Sequence, residues 1–376
     1  MNHCLASTDK EAKARELEKK RNSPMHRSMV GSWLQRTRER RLATGLLLFA
    51  SLCWALPALA QPKVPLRFGV LPVGDVVESR KNWEPLWADV GREIGQPVAA
   101  VSVSTYEGLT HAIQRREVDV AFLPAKMALD AVSAGQMKVI AQVSRRDGPA
   151  EHQAVLISRK NAPPNGLDQV LATPDRWVVA RGPNQSVSGY VMPQTQLFLP
   201  NGIDLETRFR DVVIGTHQET ALAVANGIAD VATNNTTDLE RFRRQFPVEA
   251  ERLQVIWRSQ STPAAQILVR SDLPPAVSRK LRAALTGYGR QDGPAGDRQR
   301  DVLRALRTSY GYVAADNSAL LPAAQLEYEM ARQRALSAQW TSAEAKSARL
   351  DRIEKDHART RDLLKSERAP QAPAGK

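Results

Sequence analysis

The chain has 376 residues, 42% of them hydrophobic, enough for one large or two medium domains with continuous cores. Its formal charge is +13, of which residues 1–60 carry 11 cations against 5 anions. Aromatic residues make up only 5%, and no basic stripe is interleaved with them, which excludes a nucleic-acid-binding protein.

The N-terminus accounts for much of the charge. Arg36, Arg38, Arg40 and Arg41 precede an apolar run, Leu42–Ala50, and then Pro57-Ala58-Leu59-Ala60. A basic region, an apolar region and an Ala-x-Ala end form a secretory signal peptide, cleaved near Ala60. An uncleaved anchor is the alternative, since about 18 residues just span a bilayer; Pro57 and the small residues beside it favour cleavage. The expected location is the periplasm. Cys4 and Cys53 both precede the cleavage point, so the mature chain has no thiol or disulfide and relies on its core.

Leu66–Leu71 reads as a buried strand, stopped by Pro72 and Gly74. A helix follows with Trp83, Leu86, Trp87, Val90 and Ile94 on one face. Val98–Val103 is β-branched and strand-like, and Thr105 is placed to cap a helix with Tyr106 in its first turn. Strands are expected at 118–122, 139–143, 154–157, 177–180, 212–214, 230–233, 254–257 and 266–269. Helices run between them, at about 125–134, 274–287 and 301–308. This alternation predicts parallel sheets covered by helices, and its length favours two α/β lobes. After Pro322 the pattern is helical and charged. Leu350, Ile353 and Leu364 take heptad-like positions but His357 and Thr360 interrupt them, so an exposed or dimer-contacting arm is expected rather than a coiled coil. The last eight residues, Ala369–Lys376, have the composition of a disordered tail.

Phosphate-loop, His-Glu-x-x-His and Gly-x-Ser-x-Gly signatures are absent, and the six histidines show no metal-ligand spacing. No metal, cofactor or base–nucleophile pair is therefore expected. What remains is anion chemistry. Gly182-Pro183-Asn184-Gln185-Ser186-Val187-Ser188-Gly189-Tyr190 is a hydroxyl-rich loop feeding a helix. Ser186 and Ser188 bring hydroxyl donors, Gly189 permits close backbone approach, and Pro193 is expected near the start of the helix. Free N–H groups there would face an anion, aided by the helix dipole. An ordinary serine-capped helix gives the same letters. His217 alone reads more often as a surface or capping histidine than as a ligand donor, and Tyr106 more often as a packing tyrosine than as a ligand group.

Ala221–Asn226, Asp230–Thr236, Val255–Ser259, Leu321–Leu326 and the Ser-x-Ser-Gly loop resemble the periplasmic phosphonate-binding proteins of ABC transporters, over roughly residues 65–335. The resemblance implies an α/β, two-lobed type II periplasmic-binding-protein fold with a C-terminal helical extension. Lobe one would comprise 64–152 plus 266–330, lobe two 153–265, and a helical arm and tail 331–376. It further implies a small phosphorus oxyanion held between the lobes and delivered to a membrane permease, with a homodimer through the C-terminal helices as a further expectation. Carried over residue by residue, Ser186, the backbone of Val187, and Ser188 hold the anion's oxygens. His217 contacts the same group and Tyr106 approaches from lobe one.

The departures shape the ligand. Val187 replaces a threonine, and His152 stands at the crossover in place of a tyrosine. Thr237 and Ala265 occupy the positions of two carboxylates that pair with an aminoalkylphosphonate's ammonium. A buried unpaired ammonium is costly, so an alkylphosphonate, phosphite or related oxyanion is expected instead. A periplasmic sensor for a membrane kinase is the runner-up. A transcription regulator lacks its DNA-binding helices here, and an enzyme lacks its catalytic groups.

Overall fold

Phe68, Trp83, Trp87 and Phe122 meet in one aromatic cluster, with ring centroids 4.2 to 6.1 Å apart, and this cluster welds the first helix to the first sheet. The computed structural model describes residues 63–71, 76–101, 103–144, 152–306 and 311–366. The signal-peptide, cysteine and tail readings lie outside those residues. Among them, no helix is long and apolar enough to cross a membrane.

The first lobe begins β1 (Leu66–Val70), α1 (Val76–Ile94), β2 (Val98–Val101), α2 (Tyr106–Gln114), β3 (Val120–Leu123), α3 (Ala125–Ser133) and β4 (Met137–Val143). Trp83, Leu86, Trp87, Val90 and Ile94 are all buried, as their spacing requires. The second lobe holds β5 (Gln153–Arg159), α4 (Leu167–Ala172), β6 (Val178–Arg181), a helical run over 187–201, β7 (Asp211–Ile214), α5 (His217–Ala225), β8 (Val231–Asn235), α6 (Thr236–Gln245), α7 (Pro247–Glu251) and β9 (Leu253–Ser261). The chain then returns through β10 (Gln266–Arg270), α8 (Pro275–Gly287), α9 (Pro294–Ala305) and β11 (Tyr312–Ala314). It ends in α10 (Leu321–Ser337) and α11 (Ala343–Ser366).

The sheets are ordered β11-β4-β10-β3-β1-β2 and β7-β6-β8-β5-β9. They are mixed, which corrects the expectation of parallel sheets. β1 pairs parallel with β2 and β3, but β10 inserts antiparallel between β3 and β4. In the second sheet β5 runs antiparallel to both β8 and β9. The cause is topological. Each crossover enters its new lobe at the carboxyl ends of the neighbouring strands, so the incoming strand must run the other way. The two crossovers are tied together where Thr262 N–H and Oγ both donate to the His152 carbonyl at 2.8 Å.

α9 begins earlier than expected, because Gly293 at φ 85° turns the chain and Pro294 then fits the first helical position. The C-terminal helices also differ. α11 folds back along α10 with most of its length exposed, as expected of an arm, but Ile353 and Leu364 are buried, and Leu364 joins the first lobe's core. His357, read as a break in the heptads, stacks on Tyr328 of α10 with centroids 4.4 Å apart. Burying a leucine side chain stabilises by about 1.5–3 kcal/mol, so these contacts suffice to dock the hairpin on its own chain.

Candidate functional site

β6 ends at Arg181, and the chain turns at once through Gly182 and Pro183 into the hydroxyl-rich loop. Two glycines let that loop fold on itself: Gly182 N–H donates to the Gly189 carbonyl at 3.1 Å. A Cβ on Gly189 would stand 2.7 Å from Ser186 Oγ and 2.9 Å from Gly182 Cα, so no larger residue fits without movement. Ser186 caps the following turn, its Oγ accepting from Gly189 N–H at 3.0 Å. Tyr190 and Val191 N–H both donate to the Ser186 carbonyl. Among the described residues, Val187 and Ser188 N–H have no acceptor, as expected of the first turn of a helix.

Pro193 lies well inside the helical run, not near its start. It has no N–H for an i−4 bond, and the flanking turns, Val187–Val191 and Gln194–Phe198, widen into π-helix. Met192 N–H reaches Val187 and Leu199 N–H reaches Gln194, each five residues back.

Two further helix N-termini converge on this turn. His217 opens α5, behind a capping box in which Thr216 and Glu219 satisfy each other's backbone. Its Nε2 is 3.0 Å from Ser188 Oγ. Asn235 ends β8 and caps α6, accepting from Asp238 N–H at 2.8 Å. Asn235 Nδ2 donates to Asp238 Oδ2 at 2.7 Å and to Ser188 Oγ at 3.3 Å. Thr233 Oγ1 holds the loop from below, donating to the Gly189 carbonyl at 2.7 Å. Ser186, Ser188, Thr233, Asn234 and Asn235 are all buried. Three positive dipole ends and a set of hydroxyls thus meet at one point, an arrangement that favours negative charge, and among the described residues no lysine or arginine hydrogen-bonds to Ser186, Ser188 or His217.

Tyr106 faces this point from the first lobe. It sits in the first turn of α2, which Thr105 caps through Gly108 N–H at 3.0 Å. Burial pushes its phenol pKa up, while a hydrogen bond from Ser186 pulls it down. Tyr106 packs in the same cluster as Val187 and Met192, so the lobes are in contact here. Burial likewise pushes the His217 pKa down, opposed by the Asp238 carboxylate and the Thr233 backbone, while its Nδ1 makes no hydrogen bond of good geometry among the described residues. The imidazole is therefore neutral near pH 7.

The remaining expected residues lie at the crossover side. His152 Nδ1 is 3.2 Å from Thr237 Oγ1, in the first turn of α6. Ala265 is half-buried on the second crossover, its carbonyl accepting from Val143 N–H at 3.1 Å. The structure thus brings Tyr106, Ser186, Val187, Ser188 and His217 to one point, and joins His152 to Thr237 beside it. A cavity of about 520 Å³ opens at the crossovers between Gln142, Ser144, Thr262, Ala264 and Pro322; Ser186, Ser188 and His217 do not line it.

Two site residues are missed by sequence reasoning. Asn235 and Asp238 are legible only as a helix cap, from their spacing. A third finding corrects the expectation that no base–nucleophile pair exists, because Ser188 and His217 form one. That pair lacks an orienting acid, since Asp238 binds Asn235 rather than His217 Nδ1. Among the described residues, no group of three His, Cys, Asp or Glu side chains is placed to hold a metal.

Comparison with known proteins places this chain in a family. The family model described as ABC transporter, phosphonate, periplasmic substrate-binding protein matches residues 68–320. The phosphonates-binding periplasmic protein of Escherichia coli is 31% identical over 225 residues, 60% of this chain and 66% of that protein, just under two thirds of its length. The phosphate-import protein PhnD of Mycolicibacterium smegmatis is 22% identical over 228 residues, 58% of this chain and 70% of that protein. A binding-protein component of a Pseudomonas aeruginosa ABC phosphonate transporter superposes with a TM-score of 0.73 at 29% identity, covering 81% of this chain and 99% of that one. PhnD1 of Prochlorococcus marinus, solved with methylphosphonate, shares the fold with a TM-score of 0.61 at 17% identity, covering 72% of this chain and 99% of that one. The chain belongs to the periplasmic phosphonate substrate-binding proteins of ABC transporters.

Proposed function

We propose that this protein captures a small phosphorus oxyanion between its lobes and delivers it to the permease of an ABC transporter. One observation carries the reading: the N-termini of the 187–191 turn, α5 and α6 converge on Ser188, with Tyr106 opposite. The ligand-facing donors are the hydroxyls of Ser186, Ser188 and Tyr106, the N–H groups of Val187 and Ser188, and His217 Nε2. Hydrogen bonds to a charged group contribute about 1.5–3 kcal/mol each, and micromolar affinity requires about 8 kcal/mol net. A handful suffices after the costs of association.

The lobes that close on the ligand are 64–152 with 266–330, and 153–265. The second crossover and the His152–Thr262 tie form the hinge. The site is read as one that binds rather than reacts: the family is one of substrate-binding proteins, and among the described residues no acid reaches the His217 imidazole. The mature protein works in the periplasm after cleavage near Ala60.

The favoured ligands are alkylphosphonates, phosphite or phosphate. Thr237 and Ala265 bring no charge to the amine end. Asp238, the carboxylate nearby, already serves Asn235 and the α6 N-terminus. A homodimer through the C-terminal helices has less support, because α11 uses Ile353 and Leu364 within its own chain. A thermal-shift screen of methylphosphonate, 2-aminoethylphosphonate, phosphite, phosphate and sulfate tests the reading. Stabilisation by one or more phosphorus oxyanions and not by sulfate is expected; no shift with any of them refutes it.

A further inference from the structure

α10 belongs to both lobes. Its first half, Leu321, Ala323 and Ala324, packs into the first lobe's core, and Met330 packs into the second's. Leu326 touches both. Polar contacts repeat the division: Glu327 pairs with Lys126 of α3 at 3.3 Å, while Arg334 pairs with Asp204 of the second lobe, also at 3.3 Å.

Arg334 reaches further, to the back of the anion loop. Its Nη2 donates to the Tyr190 hydroxyl, which in turn donates to Glu206 at 2.5 Å. Burial and that bond push the Tyr190 pKa up to about 12, so the phenol stays protonated and can do both. Tyr190 is fully buried in the turn that carries Ser188 and shares its N–H acceptor, the Ser186 carbonyl, with Val191. The Arg181 guanidinium covers its ring at 4.7 Å and holds the loop's start through the Gly182 carbonyl at 2.9 Å and Asn184 at 2.8 Å. The donors that face an anion are thus fixed from behind by two arginines, one of which comes from the C-terminal helix.

We propose that α10 is a tie between the lobes and that Arg334 is a positioning residue, holding the anion loop in its donor geometry through Tyr190. An isolated exposed ion pair contributes little. The buried Tyr190 hydroxyl, by contrast, is bound on both sides by charged groups, and hydrogen bonds of that kind are the strong ones. The loop's register would therefore loosen without Arg334, even though Arg334 never meets the ligand. Only the effect on affinity rests on the proposed oxyanion binding; the tie itself does not.

The test uses the mature chain with Arg334→Gln, Arg334→Lys and Tyr190→Phe. In ligand-free protein, hydrogen exchange at the Tyr190 and Val191 amides should quicken about tenfold or more in Arg334→Gln. It should return toward the unmodified rate in Arg334→Lys, with β1 and β3 amides unchanged. In a Tyr190→Phe background, Arg334→Gln should add nothing. Unchanged exchange at the two amides overturns the proposal, as does a uniform rise across the protein or a full additive effect in the Tyr190→Phe background. If Arg334→Gln does not fold, Tyr190→Phe alone must quicken the same amides, and failure to do so is equally fatal. Methylphosphonate calorimetry then separates the two readings. Affinity weakened about tenfold in Arg334→Gln supports positioning, and equal affinity refutes it. No binding by the unmodified protein counts against the oxyanion reading and leaves the tie to the exchange data.

Discussion

Ser188 Oγ and His217 Nε2 stand 3.0 Å apart, joined by Asn235 from the third side at 3.3 Å. These contacts gather three helix N-termini around one hydroxyl, and the proposed site can be tested through them.

The His217 ring is buried, and its pKa is pushed below the ordinary 6.5. Above that value both folded and unfolded chains hold it neutral, and its contribution to stability is fully present. As pH falls below it, the unfolded chain takes up a proton that the folded chain resists, so stability declines. Urea midpoints measured at about pH 7.5 and about pH 5.5 should fall less in His217→Gln than in the unmodified protein. An equal fall in both would show that other groups govern the acid limb.

Gly189 tests the close backbone approach. Gly189→Ala places a methyl group 2.7 Å from Ser186 Oγ and 2.9 Å from the backbone at Gly182. Overpacking of this kind costs about 1–3 kcal/mol, and the loop must shift to relieve it. Denaturant unfolding should show that loss together with weakened anion binding. A variant that keeps both stability and affinity would mean that the loop is looser than its contacts indicate.

Ligand choice turns on the amine end. Calorimetry should show no preference for 2-aminoethylphosphonate over methylphosphonate. Thr237→Asp restores a carboxylate beside His152, and it should shift the ratio of affinities toward the amine by about tenfold. A clear preference for the amine in the unmodified protein would contradict the assignment of Thr237 and Ala265.

Much of this was legible in the sequence, for identifiable reasons. The α1 face and the Thr105 cap are local patterns, with periods and spacings set by the helix itself. The serine loop and His217 were legible as donors, but only the fold brings them together across 29 residues of chain. What escaped was non-local. Nothing local in Gln266–Arg270 says that this strand inserts antiparallel between β3 and β4. The α11 hairpin was hidden because His357, an apparent break in an apolar repeat, is used as a stacking ring on Tyr328. Asn235 and Asp238 form the cap of α6, and their contact with the site depends on where Ser188 lies in space.

Export gives a separate check. The mature protein recovered from the periplasm should begin at or near Gln61, as read by intact mass and N-terminal sequencing. A product that retains the Leu42–Ala50 segment would show an uncleaved anchor instead.

The central claim is that Ser188 and His217 hold a phosphorus oxyanion. Its most direct test is calorimetry of methylphosphonate against the unmodified protein, Ser188→Ala and His217→Ala. Binding at about micromolar affinity or tighter in the first, weakened about tenfold or more in each variant, is the predicted result. Undiminished affinity in both variants would contradict it.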